Sequence, residues 1–149
     1  DVHMDASGAN SLGGTYTGSP VSCAAVLAVL DVFKEENILE KSQALGEKLG
    51  KRFEKWQQQF DCVDNGRHMG AMAAIDLVSD KAKHTPNADL AAALCKRARE
   101  KGLILLSCGL YGNTIRFLMP VTIEDEVLEE GLAIVEASLE ELVGQTATA

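Results

Sequence analysis

Apolar residues recur every three or four positions in two long stretches of this chain, and each stretch predicts an amphipathic helix. The first helix covers about residues 38–60, with a stripe formed by Leu45, Leu49, Phe53, Trp56 and Phe60. The second is the final helix of the chain, with a stripe formed by Leu128, Leu132, Val135, Leu139 and Leu142. Thr122, which precedes the acids at positions 124 and 125, is expected to cap this final helix.

Two further helices are marked by proline and glycine. The helix at residues 20–36 follows Ser19, a potential N-cap, and begins with Pro20, which suits a first helical turn. Because it is apolar on nearly every side between residues 21 and 33, it needs cover all round. The other helix, at about residues 87–101, follows Thr85 and Pro86 and ends at Gly102.

Three strands are predicted, at residues 70–78, 103–107 and 114–119. The run at 103–107 is apolar with almost no interruption, so we expect that strand to be covered on both faces. Residues 64–69 show no periodicity and are expected to be irregular. The order of two helices, a strand, a helix, two strands and a helix predicts an α+β fold with two layers, in which helices pack on a small, mostly antiparallel sheet.

Length, hydropathy and charge narrow the classes of protein to which the chain can belong. Its 149 residues suffice for one core, expected at residues 12–143 and divided into a loop with a linking helix (12–36) and a small domain (37–143). An irregular segment is expected at 1–11 and a disordered tail at 144–149. No signal peptide is visible, and no apolar run approaches the roughly 20 residues of a membrane span. The net charge of −8, without a basic cluster, makes nucleic acid and anionic membranes unexpected partners.

The cysteines and histidines do not suggest a metal centre. The four cysteines, at positions 23, 62, 95 and 108, form no Cys-x-x-Cys pair, and the three histidines are far from them in sequence. A zinc site needs closer paired ligands, so no metal is expected. The pattern favours buried free thiols in a reducing cytosol, and therefore a cytoplasmic protein.

A loop rich in glycine and hydroxyl groups, at residues 12–20, leads into the predicted helix at residues 20–36. Gly13 and Gly14 would let backbone amides approach a phosphate, and the hydroxyls of Thr15 and Thr17 could donate to it. The N-terminus of the following helix would add further N–H groups and a favourable dipole. A tight turn with an N-cap would show the same residues, so both interpretations remain open at this point.

Arg116 is the second candidate for a binding residue. In the predicted strand, Ile115, Phe117 and Met119 share one face, and Arg116 points the other way, beside Thr114 and Leu118. A guanidinium group there is suited to bidentate binding of a carboxylate. The alternative is a strand arginine paired with a surface acid.

Three segments together resemble class-III aminotransferases. They are Leu-Gly-Gly-Thr-Tyr-Thr-Gly-Ser-Pro at residues 12–20 with the alanine-rich helix after it, Lys-Gly-Leu-Ile-Leu-Leu-Ser-Cys-Gly at 101–109, and Ile-Arg-Phe-Leu-Met-Pro-Val-Thr-Ile at 115–123. They occur in the family's order and spacing, and the resemblance extends from residue 12 to residue 143. The segment around Ser107 and Cys108, with a tyrosine nearby, is more similar to the 4-aminobutyrate aminotransferase branch than to the ornithine or acetylornithine branches.

The resemblance implies a fold, a reaction and a set of site residues. It implies the C-terminal small domain of a fold-type-I enzyme that works as a homodimer and holds pyridoxal 5'-phosphate covalently on a lysine. It also implies transfer of an amino group from 4-aminobutyrate, or a similar ω-amino acid, to 2-oxoglutarate. Gly14 and Thr15 match the motif that reaches the phosphate of the neighbouring subunit's cofactor, and Arg116 matches the arginine that binds the substrate carboxylate.

Two departures from the family pattern limit what the resemblance implies. No lysine of this chain matches the cofactor lysine, which is expected upstream of residue 1, so the chain alone is expected to be inactive. His68 stands where the family usually has a glycine, so a different backbone or local strain is expected there. The alternatives to an aminotransferase fragment are a standalone phosphate- or small-molecule-binding module, and an interaction domain that offers the apolar helix at residues 21–33 to a partner.

Overall fold

The structure, a computed structural model, describes residues 13–146, and the chain divides after Asn37 into two compact units. In the first unit, a turn leads into helix α1 (Pro20–Glu35). The second unit contains α2 (Ile38–Gln59), β1 (Val63–Met69), β2 (Met72–Asp80), β3 (Thr85–Pro86), α3 (Ala88–Glu100), β4 (Leu106–Cys108), β5 (Thr114–Phe117) and α4 (Asp125–Thr146). The predicted segment 1–11 and residues 147–149 of the predicted tail lie outside the described residues.

The strands of the second unit form one antiparallel sheet in the order β1-β2-β5-β4, and β3 pairs with β2 beside this path. Along the centre of the sheet, Ala74 lies opposite Arg116 and Asp76 lies opposite Thr114. On the far side of β5, Leu106 of β4 also lies opposite Arg116. Helix α2 packs on β1 and β2, and α3 packs on α4 and on the strands β2, β4 and β5. The predicted α+β fold with a small antiparallel sheet is therefore confirmed.

The core lies between the inner face of the sheet and the helices of the second unit. Both predicted apolar stripes are confirmed, because every member is buried except Leu142, which packs at the edge of the core. Three rings form its centre: Phe53 lies 5.0 Å from Phe117 and 5.8 Å from Trp56 between ring centroids. Such tilted aromatic pairs stabilise a core beyond the area that they bury.

Ion pairs join α2 to α4 along the rim of this core. Lys48 contacts Asp125 at 2.6 Å, and Glu136 contacts Lys55 at 2.7 Å and the indole Nε1 of Trp56 at 3.1 Å. The hydrogen bond from Lys55 is the largest influence on Glu136, and with that from Trp56 it lowers the pKa of the carboxyl group below its ordinary value.

The residues predicted to be irregular, 64–69, instead belong to strand β1, which pairs with β2 through an interrupted register. Only Val63 of this edge strand is buried, and Asn65 has a positive φ of 47° at the irregularity. An edge strand that has a bulge and only one buried side chain carries no alternation of apolar and polar residues. Periodicity therefore could not detect it.

The strand predicted at residues 103–107 is also displaced, since β4 spans Leu106–Cys108. The apolar run at residues 103–107 is not covered on both faces by the described residues, because Ile104 is 81% exposed and Leu106 is 59% exposed. The apolar run was correctly identified as part of the sheet region, but the prediction of full cover was wrong for this part of the chain.

Helix α2 packs closely against the β1–β2 turn in the region around His68. The imidazole of His68 lies against the backbone of α2 at Gly46 and Gly50, and the amide of Ala71 donates to the hydroxyl of Ser42 at 3.0 Å. His68 is paired with Ala73 within the strand and does not have a positive φ. The left-handed position of this turn is Gly70, with φ of 54°, and not His68.

Some helix ends differ from expectation. Ser19 occupies the N-cap position of α1, but its side chain makes no capping hydrogen bond. No side chain of α1 is buried, so the cover that its apolar character requires does not come from the described residues. Helix α4 extends to Thr146, three residues into the predicted tail.

The state of the cysteines and the character of the helices can be read directly from the structure. All four cysteines are free thiols; Cys23 is exposed rather than buried, whereas the other three are partly buried. None of the helices within residues 13–146 is long and apolar enough to cross a membrane.

Candidate active site

Strand β5 presents Arg116 on the outer face of the sheet. Ile115 and Phe117 are 0% and 4% exposed on the core side, which confirms the predicted alternation and turns Arg116 outward. Its neighbours across the strands are Ala74 and Leu106. The short side chain of Ala74 leaves room beside the guanidinium group.

Arg116 forms no ion pair or hydrogen bond with any other side chain in the described residues. The ion pairs that the structure contains there involve other cations, among them Arg52, Arg67 and Arg97. The alternative interpretation, in which Arg116 pairs with a surface acid, is therefore not supported. An arginine without a partner retains both N–H edges for a planar carboxylate.

A groove of about 420 Å³ lies in front of Arg116 on this outer face. Its walls combine the methionines and alanines of the β1–β2 hairpin with the polar ends of β4 and β5, and its lining includes Met69, Met72, Ala74, Cys108 and Thr114. The arrangement joins a free cation to a mostly apolar groove. That combination fits a small molecule with one carboxylate and an aliphatic chain.

A second arginine, Arg67 of β1, also lines this groove but is engaged by an acid. Its guanidinium contacts the two carboxylate oxygens of Asp76 at 2.9 and 3.1 Å. Thr114 and Asn65 each donate to the same carboxylate, both at 2.7 Å. The sequence analysis missed this cluster, although one signal was present: Asp76 is an acid within the otherwise apolar run of β2.

The carboxyl group of Asp64 lies at one end of this polar region. Burial alone would raise its pKa, but hydrogen bonds from His84 and from the backbone of Asn65 outweigh burial and lower the pKa. Asp64 therefore stays ionised at neutral pH and is paired with the imidazole of His84.

The loop before α1 contains the other two predicted site residues, Gly14 and Thr15. A backbone hydrogen bond of 3.0 Å from Thr17 to the carbonyl of Gly14 closes the turn, and a further bond of 3.1 Å joins Ser19 to Tyr16. Residues 13–18 are exposed, and the Thr15 hydroxyl has no partner in the described part of the chain. A Cβ atom at Gly14 would lie 3.3 Å from the Thr17 hydroxyl, so a glycine suits this turn.

This turn fits a phosphate group by its chemistry. Exposed hydroxyls at Thr15 and Thr17 and glycines with no side chain in the way are the donors and the clearance that a phosphate needs. Gly14 and Thr15 belong to the first unit and Arg116 belongs to the second.

Comparisons with known proteins point to one family. Residues 2–139 match the family described as Aminotransferase class-III. Over 139 residues, the chain is 53% identical to 5-aminovalerate aminotransferase DavT from Pseudomonas aeruginosa, covering 93% of this chain and 33% of that protein. Over 138 residues, it is 45% identical to 4-aminobutyrate aminotransferase GabT from Escherichia coli, covering 93% of this chain and 32% of that protein.

A solved structure agrees with these matches. The amine transaminase from an uncultivated Pseudomonas species, in its PLP-bound form, aligns with a TM-score of 0.77 at 29% identity, covering 89% of this chain and 30% of that one. The chain spans about a third of the length of the curated relatives that it matches. On the evidence of its fold and of these sequence matches, the chain belongs to the class-III aminotransferase family.

Proposed function

We propose that this chain works as part of a pyridoxal-phosphate-dependent aminotransferase that transfers an amino group from an ω-amino acid to 2-oxoglutarate. The donor is 4-aminobutyrate or its homologue 5-aminovalerate, since relatives that bear both names are 45% and 53% identical to it. The observation that carries the proposal is that Arg116 lies beside a mostly apolar groove and has no ion-pair partner in the described residues. The match to aminotransferases along 93% of the chain supports this function over a standalone binding module.

Arg116 is proposed to bind the substrate carboxylate. Both the amino donor and 2-oxoglutarate carry a carboxylate, and a planar guanidinium can hold it through two parallel hydrogen bonds. The apolar walls of the groove, including Met72 and Ala74, are suited to the methylene chain of the donor. The bound orientation then places the rest of the substrate along the groove.

Gly14 and Thr15 are proposed to bind the phosphate of the cofactor. The Thr15 hydroxyl would donate a charge-assisted hydrogen bond, and Gly14 would leave the backbone open to the anion. When bound, the cofactor supplies the electron sink that amino transfer requires. The residues of this chain contribute binding and orientation.

A homodimer is proposed for the complete enzyme. Apolar side chains of α1 are exposed by 40% to 79%, among them Val21, Leu27 and Phe33, and such a surface favours burial against another polypeptide segment. Four free cysteines agree with a reducing compartment, so we place the enzyme in the cytoplasm.

The test is the activity of the full-length polypeptide that contains this chain. Steady-state kinetics with 4-aminobutyrate or 5-aminovalerate as donor and 2-oxoglutarate as acceptor should show turnover. Because the two donors differ by one methylene group, they should differ in kcat/KM by about fourfold, the factor expected for about 0.8 kcal/mol. Absence of turnover with both donors would contradict the proposed function.

Replacing Arg116 tests its role in the same enzyme. Arg116→Ala should lower kcat/KM for donor and acceptor together by roughly 30- to 5,000-fold, the effect of removing one partner of a desolvated ion pair worth about 2–5 kcal/mol. Arg116→Lys should recover only part of the lost kcat/KM, since an ammonium group lacks the planar arrangement of N–H donors of a guanidinium group. Arg99→Gln, which removes an exposed arginine on α3, is the control and should leave both constants near wild type. Intact kinetics in Arg116→Ala would show that the arginine does not bind substrate.

A further inference from the structure

We propose that Arg67 is a positioning residue that occupies Asp76 and so keeps Arg116 free for the substrate carboxylate. The proposal rests on the proposed function, because it assigns Arg67 a task in carboxylate binding that acts through Asp76 and Arg116. Its basis is the hydrogen-bond network on the outer face of the sheet.

The register of the sheet places Asp76 within reach of Arg116. Both side chains lie on the outer face, since their neighbours Ile75, Leu77, Ile115 and Phe117 are buried in the core. Asp76 lies opposite Thr114, and Arg116 lies opposite Ala74, so Asp76 and Arg116 are diagonal neighbours across two paired strands. Diagonal neighbours are about 7–8 Å apart, a distance that long side chains span. An acid in this position is a natural partner for Arg116.

That ion pair does not form, because Asp76 is already engaged. One carboxylate oxygen accepts from the hydroxyl of Thr114 at 2.7 Å and from Arg67 at 3.1 Å. The other oxygen accepts from the amide of Asn65 at 2.7 Å and contacts Arg67 at 2.9 Å. A carboxylate offers about four acceptor positions, so these four contacts leave little capacity for a further donor.

Arg67 supplies the positive charge in this network, since Thr114 and Asn65 are neutral donors. It meets the carboxylate through two nitrogens, the geometry that neutralises an acid most effectively, and the Asp76 side chain is only 19% exposed. If Arg67 were removed, Thr114 and Asn65 would leave Asp76 with neutral donors and an uncompensated charge. The diagonal arginine, Arg116, would then provide the missing cation.

A pair between Arg116 and Asp76 would compete with the substrate. In full-length Arg67→Gln, KM for both the amino donor and 2-oxoglutarate should rise by about two- to fivefold, the factor of a partly exposed ion pair. The value of kcat should change little, because the competition removes binding that ground state and transition state share. Arg67→Lys retains a cation for Asp76 and should stay closer to wild type.

The decisive variant is the double substitution Arg67→Gln with Asp76→Asn. It removes the competing acid, so KM should return to within about twofold of wild type although two residues have changed. A merely structural role for Arg67 predicts the opposite, with the double variant at least as impaired as the single one and kcat reduced as well. A crystal structure of Arg67→Gln offers a second readout, in which a carboxylate oxygen of Asp76 should lie within 4 Å of the Arg116 guanidinium.

Arg116→Ala separates failure of this inference from failure of the proposed function. If Arg116→Ala leaves KM unchanged, Arg116 does not bind the carboxylate and the proposed function fails at that residue. If Arg116→Ala raises KM but Arg67→Gln does not, or if the double variant is not rescued, the function stands and the positioning role of Arg67 is overturned. An unchanged thermal unfolding curve would verify that each variant is folded.

Discussion

The contact between α2 and the β1–β2 turn allows one substitution to be made at two positions with different expected results. Gly46 and Gly50 lie one helical turn apart on the face of α2 that meets the hairpin. A methyl group at Gly46 would lie 2.7 Å from the carbonyl carbon of Gly70, and closer still to its oxygen. A methyl group at Gly50 would meet only the ring of His68, at 2.9 Å from Nε2.

The two clashes differ in whether the neighbour can move. The Gly70 carbonyl is fixed by a turn with a φ of 54°, and the adjacent amide of Ala71 is bound to Ser42. Overpacking against such a group costs about 3 kcal/mol, the upper end of the usual range, whereas alanine in place of glycine gains about 1 kcal/mol in a helix. We therefore expect Gly46→Ala to lower the free energy of unfolding by about 2 kcal/mol.

Gly50→Ala is the matched control in the same helix. The His68 ring is the exposed end of a side chain and can rotate away at small cost, so the gain in helix propensity should offset the clash. The free energy of unfolding should change by less than about 0.5 kcal/mol. With His68→Gly, which removes the ring, Gly50→Ala should become stabilising by up to about 1 kcal/mol.

Urea denaturation of the 149-residue chain, followed by the fluorescence of Trp56, measures these differences. Trp56 is the only tryptophan and is fully buried, so its emission reports the core that α2 shares with the sheet. In a thermal melt, 2 kcal/mol corresponds to a Tm lower by about 8 °C for a unit of this size. Equal effects of Gly46→Ala and Gly50→Ala would refute the reasoning, because they would show that rigidity of the neighbour does not decide the cost.

Three further predictions concern the cofactor, the isolated chain and pH. Thr15→Ala in the full-length enzyme should weaken cofactor retention by about 1.5–3 kcal/mol, the value of a charge-assisted hydrogen bond, as measured by absorbance titration; unchanged affinity would leave Thr15 as a turn residue. Residues 1–149 alone should not transaminate, since none of their lysines matches the cofactor lysine of the family; turnover above a cofactor-only blank would contradict this. The lowered pKa of Glu136 stabilises the fold above the ordinary carboxyl value of 4.5, and this contribution is lost as pH falls through the lowered pKa. Glu136→Gln should therefore make the free energy of unfolding depend less on pH in the acid range. An unchanged pH dependence in that range would show that Glu136 does not contribute to it.

The helices and the alternation of β5 could be predicted because each depends on a pattern that is local in the chain. The stripes in α2 and α4 have one buried face, and burial of one face imposes the spacing of three and four residues on the sequence. In β5, Ile115 and Phe117 are buried on one face, and this burial imposes an alternation of period two. The alternation correctly placed Arg116 on the opposite face.

Strand β1 could not be predicted in this way, because only Val63 of this edge strand is buried and a single buried residue sets no period. The full cover predicted for residues 103–107 failed for a related reason. An apolar run indicates that a segment is suited to burial, but it does not indicate which other segment covers it. Ile104 and Leu106 therefore remain exposed in this part of the chain.

By itself, the sequence determined the fold class, the outward direction of Arg116 and the family resemblance carried by its motifs. Only the tertiary structure decided that Arg116 has no ion-pair partner in the described residues and that Arg67 has one. Asp76 is 9 residues from Arg67 along the chain and 38 from Thr114, and their contacts exist because three strands lie in register. The direction of a side chain follows from local backbone geometry, whereas its partner depends on which distant residues the sheet brings beside it.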